Sequence, residues 1–357
     1  MKSFHDSRFT GIQVLRGIAI LCIVFRHVRF IGRGEFGVDI FFCISGFAMM
    51  LSTHRGAEHY WKKRLIRILP LYSVMTLGTF LLLVLFPGMF ESTTARVDQL
   101  LLSLFYIPFD IGGGVIAPIL RVGWTINMVM YFYLMFFIAL KISKKYRGYI
   151  ASALIILMVA IEFIHPSKYA AVKLYGGPVA LNFVFGMALY PVLQRVFAWL
   201  EGENAGDRAG MNAETRKRRK GIAAWISLAV SIAMLVILFI PEDALQMLVL
   251  SYRVPLREIP AAILVIGFFI MGQVWKMPRP LILLGDISYS LCLVHYYPIL
   301  FLDRKIFDFE KFTPVSLLGV MVGIMLVIAL SYVSYHVVEK NPLLMKLSGG
   351  TKKGKEG

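Results

Sequence analysis

Apolar residues run through this chain in blocks long enough to cross a bilayer, separated by short polar or charged stretches. Ten such blocks fall near 11–30, 36–53, 70–88, 122–141, 148–165, 177–198, 221–240, 257–275, 281–301 and 314–338. A membrane-spanning helix needs about 20 predominantly apolar residues. The pattern therefore predicts an all-α fold, a polytopic membrane helical bundle of about ten transmembrane helices. The second, fifth and ninth blocks are short or carry polar interruptions. No repeat of fixed period is visible.

Composition and charge refine this picture. The 357 residues are 58% hydrophobic and 17% charged, with a mean hydropathy of +0.71, which excludes a soluble multidomain enzyme. With the N-terminus in the cytoplasm and Arg29, Lys141 and Arg257 at block ends counted with the loops, Lys and Arg divide 24 to 11 between the two sets of loops, and Arg16, Arg26 and Arg195 lie deeper inside blocks. Positive residues collect on the cytoplasmic side, and an even number of spans then leaves both termini cytoplasmic. The net charge of +17 reads as topology plus attraction to anionic membrane lipid, with no nucleic acid implied. Arg16 interrupts the first block and no small-residue cleavage site follows it, so a cleaved signal peptide is not expected. Cys22, Cys43 and Cys292 fall inside apolar blocks, which implies no disulfide framework. Residues 201–220, rich in Gly, Asn and charge and ending in Arg216-Lys-Arg-Arg-Lys220, read as a flexible cytoplasmic linker. It joins six-span and four-span parts of one membrane domain over 1–345, and 346–357 read as a disordered cytoplasmic tail.

Chemistry enters with the charges that the blocks contain. Arg16 precedes His27 by eleven residues, which on a helix is within about 20° of three full turns, so both share one face roughly 16 Å apart. Ionisable groups in a span are expensive to bury and are usually kept for a task. One end of this stripe is a fixed cation and the other titrates near neutral pH, a layout suited to an anionic donor at one depth and proton transfer at another. Asp39, in Gly37-Val-Asp-Ile-Phe-Phe-Cys-Ile-Ser-Gly-Phe47, follows across a short turn at a similar depth. A carboxylate beside His27 would fix its tautomer and raise its basicity, as a general base requires. The plainer alternative is an interfacial His and a helix-start Asp that meet water.

Four further patterns carry polar groups. Arg64 and Arg67, spaced by three, share a helix face and form a two-guanidinium clamp suited to phosphate; positive-inside topology is the competing account. Tyr60 and Trp61 before them read as interfacial anchors. Trp124 and Asn127 open the fourth span after a long outer loop containing Gly112-Gly-Gly114, and could bind a sugar by stacking and hydrogen bonding; a plain interfacial Trp is the alternative. Ser288, Cys292 and His295 recur at helical spacing in the ninth span, facing the bundle interior either as substrate contacts or as glue between helices. Glu339, at the inner end of the last span, reads as a partner for a basic loop residue.

In order along the chain, these motifs resemble the membrane acyltransferase-3 family of bacterial surface-polysaccharide O-acyltransferases. Leu15-Arg-Gly-Ile-Ala19 through His27 resembles its opening motif, Gly37-Val-Asp-Ile-Phe-Phe through Ser45-Gly-Phe47 its second, and Arg64-Leu-Ile-Arg67 its arginine clamp. Trp124-Thr-Ile-Asn127, Ser288-Tyr-Ser-Leu-Cys-Leu-Val-His295 and Glu339-Lys-Asn-Pro342 are similar to its later signatures. The Trp-Thr-Ile-Asn form is nearest to the stand-alone exopolysaccharide and O-antigen acetylases. The chain ends about twenty residues beyond its tenth span, so the SGNH hydrolase-like domain of some members is not expected.

The resemblance implies a multi-pass enzyme of the bacterial inner membrane. Such an enzyme moves an acyl group, most simply acetyl from cytoplasmic acetyl-CoA, to a hydroxyl of an exported polysaccharide or lipid-linked sugar; no metal is implied. His27, Asp39 and Arg16 would be catalytic, with His27 either deprotonating the hydroxyl or carrying the acyl group. Arg64 and Arg67 would hold coenzyme A phosphates, and Trp124, Asn127, Ser288 and His295 would contact substrate. Two departures stand out. Five residues after the motif Trp the family usually carries Glu, where this chain has Val129; either another carboxylate such as Asp39 suffices, or activity is altered or lost, as in a catalytically impaired relative. Arg26 and Arg29 also flank His27, where the family is usually less basic. A transporter or flippase of lipid-linked sugars is the rival from another class, since intramembrane Arg and His also serve transport.

Overall fold

The computed structural model describes residues 4, 9–54, 56–90, 93–202, 212–240 and 258–347. Its long helices are α1 (Thr10–Arg26), α2 (Phe36–Ser52), α3 (Tyr60–Leu85), α5 (Trp124–Ile142), α6 (Arg147–Ile164), α8 (Leu181–Glu201), α9 (Ala213–Phe239), α10 (Glu258–Val274) and α14 (Pro314–Ser334). Shorter ones are α4 (Val97–Leu104), α7 (Ala170–Tyr175), α11 (Arg279–Asp286), α12 (Ser288–Val294), α13 (Tyr296–Leu302) and α15 (Pro342–Leu347). Apart from helices, β1 (Phe109–Asp110) and β2 (Ile116–Ala117) form a small antiparallel hairpin around the Gly112–Gly114 turn. Among the described residues, six helices are long and apolar enough to cross a membrane, and α2 and α10 are shorter apolar helices. The protein is a polytopic helical membrane protein.

The ends of these helices differ from the expected blocks for local reasons. α3 begins ten residues before its apolar block, so Arg64 and Arg67 sit within the helix, and Pro70 lies inside it as well. Residues 213–220, expected as linker, are instead the opening turns of α9. Asn212 caps them by accepting the Thr215 N–H at 2.8 Å, which satisfies an otherwise orphaned donor. Lys220 pairs there with Glu201. Of the rest of the expected linker, Glu201 ends α8 and 203–211 lie outside the described residues; of the expected tail, 346 and 347 instead close α15, and 348 onward lies outside the described residues. The ninth block is three short helices, interrupted at Ile287 and His295. The tenth starts at a capping box of Thr313 and Ser316 with Pro314 at the first helical position.

The chain divides into two compact units. Unit 1 contains residues 1–27, 31–54 and 178–288; unit 2 contains 28–30, 55–177 and 289–357. In unit 1, α1 packs on α2, α10 and α11, and α2 packs on α8. Its core includes Leu15, Ala19, Phe36, Ile40, Phe47, Leu193, Val265 and Phe269. Between α2 and α8 the backbones touch: a Cβ at Gly46 would lie 2.1 Å from the Phe183 carbonyl oxygen, and one at Gly186 would lie 1.9 Å from that of Cys43. Small residues permit such close approach, the usual basis of helix packing in membranes.

In unit 2, α3 packs on α4 and α5, α5 on α6, and α13 on α14. After α13 the chain makes a π-helical turn over Asp303–Phe307, and an ion-pair cluster holds it. Arg29 donates from Nε to Asp303 at 2.8 Å and from Nη2 at 2.9 Å, and Nη2 also reaches Asp308 at 2.6 Å. Asp303 is 5% exposed and also accepts the Phe309 N–H at 2.6 Å. Phe30 N–H donates to the Phe309 carbonyl at 2.9 Å. The extra basicity around His27 therefore has partners: Arg29 here, and Arg26 with Glu35 at 3.6 Å in unit 1.

Candidate active site

Unit 1 places the first group of expected site residues. Arg16 is half-buried in the middle of α1. α11 lies close against α1 because Gly285 meets the Gln13 carbonyl, where a Cβ would come within 2.0 Å, and Gly17 meets the Leu281 carbonyl. That contact delivers Ser288 to Arg16, whose Nη2 donates to Ser288 Oγ at 2.8 Å and whose Nη1 donates to Gln13 Oε1 at 3.3 Å. Ser288, expected to touch substrate, is thus fully buried and engaged by the guanidinium. His27 is the C-cap of α1, half-buried, with its backbone N–H on the Val24 carbonyl at 3.0 Å.

Asp39 stands in the first turn of α2, where the helix dipole favours a negative charge. It is 7% exposed and accepts a 2.8 Å hydrogen bond from Asn182 Nδ2 in the first turn of α8. Asn182 is fully buried and also donates to the Val179 carbonyl at 3.2 Å. Sequence reading passed over Asn182. Nothing local marks it, since its partner is 143 residues away and is reached only through the glycine contacts of α2 with α8.

Unit 2 places the second group. Arg64 lies over the Tyr60 and Tyr133 rings, at 5.6 and 5.3 Å from their centroids. Rings this close attract the cation and hold it in position. Arg67, one turn on, is exposed. Tyr60 is not the expected interfacial anchor. It is 6% exposed and packed among Tyr133, Phe136 and Phe137, where it forms the platform under Arg64. Trp61, half-buried, meets Phe137 at 5.5 Å.

Trp124 is the first residue of α5 and half-buried, while Asn127 is fully buried. His295, fully buried at the break between α12 and α13, has Nδ1 3.0 Å from the Leu291 carbonyl. A carbonyl only accepts, so Nδ1 is the donor in this contact. Cys292 lies 3.9 Å from Thr125 Oγ1. Glu339, in a π-helical turn at Tyr335–Glu339, accepts from the Ser290 hydroxyl, a partner that sequence reading did not anticipate. Among the described residues, no group of His, Cys, Asp or Glu is arranged to hold a metal ion.

Comparison with known proteins bears on what this arrangement does. The exopolysaccharide production protein ExoZ of Rhizobium meliloti (strain 1021) is 30% identical over 277 residues, covering 74% of this chain and 77% of ExoZ. YrhL of Bacillus subtilis (strain 168), named as a candidate peptidoglycan O-acetyltransferase, is 25% identical over 379 aligned positions, covering 95% of this chain and 55% of YrhL. No solved structure matches the chain. An acyltransferase domain matches residues 9–336. That span takes in the Arg16, His27, Asp39, Arg64 and Trp124 motifs and runs to the last long helix: the chain is a membrane acyltransferase and belongs to the acyltransferase-3 family.

Proposed function

We propose that this protein acetylates a hydroxyl of an exported or cell-surface polysaccharide, using acetyl-CoA from the cytoplasm. In this reading it crosses the bacterial inner membrane ten times and keeps both termini in the cytoplasm. The observation that carries it is the build of α1, which holds a guanidinium tied by Ser288 in mid-helix and ends at His27. Similarity to ExoZ favours an exopolysaccharide acceptor.

Bound acetyl-CoA supplies an acetyl thioester. Arg64 and Arg67 take its phosphates, with Arg64 already oriented by Tyr60 and Tyr133. Arg16 lines the route of the acyl end, and Ser288 serves by fixing its guanidinium. His27 removes the proton of the acceptor hydroxyl as its oxygen attacks the acetyl carbonyl, then returns a proton to the departing thiolate. Asp39, steadied by Asn182, orients His27. Trp124, Asn127 and His295 contact the acceptor.

The test uses the full chain in lipid nanodiscs with labelled acetyl-CoA and a neutral oligosaccharide, alongside mass spectrometry of surface glycans from a deletion strain. Loss of one acetyl group from the glycans, with acceptor-dependent consumption of acetyl-CoA in vitro, is the expected result. Glycans unchanged in acetylation, or sugar movement without donor consumption, would overturn the reading.

A further inference from the structure

The unit of α3 to α7 and α12 to α14 holds a nest of tyrosines that the roles above do not use. Gly123, Asn127 and Tyr131 follow one another at intervals of four along one face of α5. A Cβ at Gly123 would lie 3.0 Å from the Tyr72 ring, so this face looks onto Tyr72 of α3. Tyr72 stacks on Tyr106 with centroids 4.7 Å apart, and Tyr131 stacks on Tyr175 at the same spacing. The Tyr175 hydroxyl donates to the Tyr106 carbonyl at 3.0 Å, joining the two stacks. Tyr72 donates in turn to the Ser103 carbonyl at 3.0 Å.

Inside this nest, polar atoms lack partners among the described residues: both amide atoms of Asn127 and the hydroxyls of Tyr106 and Tyr131 are buried without a hydrogen bond, and Asn127 is 0% exposed. Leaving a buried donor or acceptor unmade is costly, and native proteins leave few. Backbone strain coincides with them. Tyr106 has φ +60°, a left-handed conformation that non-glycine residues adopt at a cost and that concentrates at ligand sites. Its stacking on Tyr72 and the hydrogen bond from Tyr175 hold it there.

We propose that this nest is the acceptor subsite and that it takes a neutral, hydroxyl-rich pyranose. Asn127 would span two neighbouring hydroxyls with its donor and acceptor, and the Tyr106 and Tyr131 hydroxyls would complete the ring of contacts. Each of these groups can donate and accept, and none carries charge, so the subsite selects hydroxyls over phosphate or carboxylate. Burial raises the Tyr106 and Tyr175 phenols further above neutrality. This inference rests on the acyl-transfer reading for the identity of the sugar as acceptor.

The experiment titrates the full chain in nanodiscs with a free neutral oligosaccharide, with the same sugar on a polyprenyl diphosphate, and with inorganic phosphate. Tyr106→Phe and Tyr131→Phe keep the stacking and remove only hydroxyls that have no partner among the described residues, so thermal midpoints should not fall. Each, like Asn127→Ala, should weaken saccharide binding and raise the acceptor KM about tenfold, the equivalent of one lost hydrogen bond. Binding of the free sugar assigns the site to finished polysaccharide, and binding of the lipid-linked form alone assigns it to a precursor. An acceptor KM unchanged in all three variants overturns the subsite while acetyl-CoA consumption upholds the enzyme. Saccharide binding that the variants weaken, without any acetyl-CoA consumption, upholds the subsite and sinks the acyl-transfer reading. Phosphate binding that Tyr131→Phe weakens overturns the choice of ligand.

Discussion

Arg29→Ala is expected to destabilise unit 2 by about 2 kcal/mol. The carboxylate of Asp303 is 5% exposed and takes two charge-assisted bonds from Arg29 and one from the Phe309 amide. Among the described residues, removing Arg29 leaves that buried charge on a single N–H. For a fully buried pair that loss costs about 3–5 kcal/mol. Arg29 is 48% exposed, so water reaches part of the gap, and the bond to Asp308, itself 71% exposed, adds roughly 0.2–1 kcal/mol at most. The discounted figure is about 2 kcal/mol, or roughly 3 °C in thermal midpoint for a chain of this size. Arg29→Lys keeps the charge and loses the planar fork, so it should fall between. Fluorescence-detected size exclusion after a heating series in detergent reads the midpoint. An Arg29→Ala protein melting within 1 °C of wild type would refute the claim that this cluster holds the π-helical turn.

Other substitutions probe the site directly. His27→Ala should cut acetyl transfer by about 100- to 10,000-fold, the range of a general base, while expression stays normal; turnover within a few-fold of wild type removes His27 from the mechanism. Arg64→Ala and Arg67→Ala should each raise the KM for acetyl-CoA about tenfold, with Lys a poor replacement, and donor titrations that leave it unchanged reduce the pair to topology. Val129→Glu should bring no gain, because an unpaired charge near the bilayer core costs roughly 2.5–3.5 kcal/mol on insertion scales, whereas Asp39→Asn should be strongly impaired; the reverse pattern of turnover would move the carboxylate's role to position 129. Gly285→Val should push α11 off α1, break the Arg16–Ser288 bond and lower kcat, and wild-type kcat in that variant would show that Arg16 needs no tether.

What the sequence disclosed, and what it withheld, follows from the reach of periodicity. Apolar blocks reveal where helices run, because burying backbone in lipid demands helix, and every block does contain helix. Their ends depend on polar chemistry that hydropathy ignores. The α9 start was recoverable from Asn212 three residues before Thr215, yet the dense charge of 216–220 read as linker. Helical spacing also places residues on a face without naming what lies across from it. Arg16 and Asp39 were visible as charges in apolar surroundings, while Ser288 as a tether for Arg16 and Asn182 as a donor to Asp39 come from 272 and 143 residues away. The tyrosine nest was hidden for the same reason, being drawn from α3, α5, α7 and a loop.

The glycine contacts of unit 1 constrain its motion. Where Gly46 and Gly186 set backbone against backbone, no side chain remains to swing aside, so neither helix can turn about its own axis without collision. One residue's worth of rotation, about 100°, would carry Asp39 away from Asn182, and the interlock forbids it. The same holds where Gly285 seats on Gln13 beneath Arg16. A displacement of about 1 Å at a reacting group can cost on the order of a hundredfold in rate. An enzyme that admits a bulky donor to such a site must make room by moving side chains or flanking loops, while these helices behave as a fixed jig.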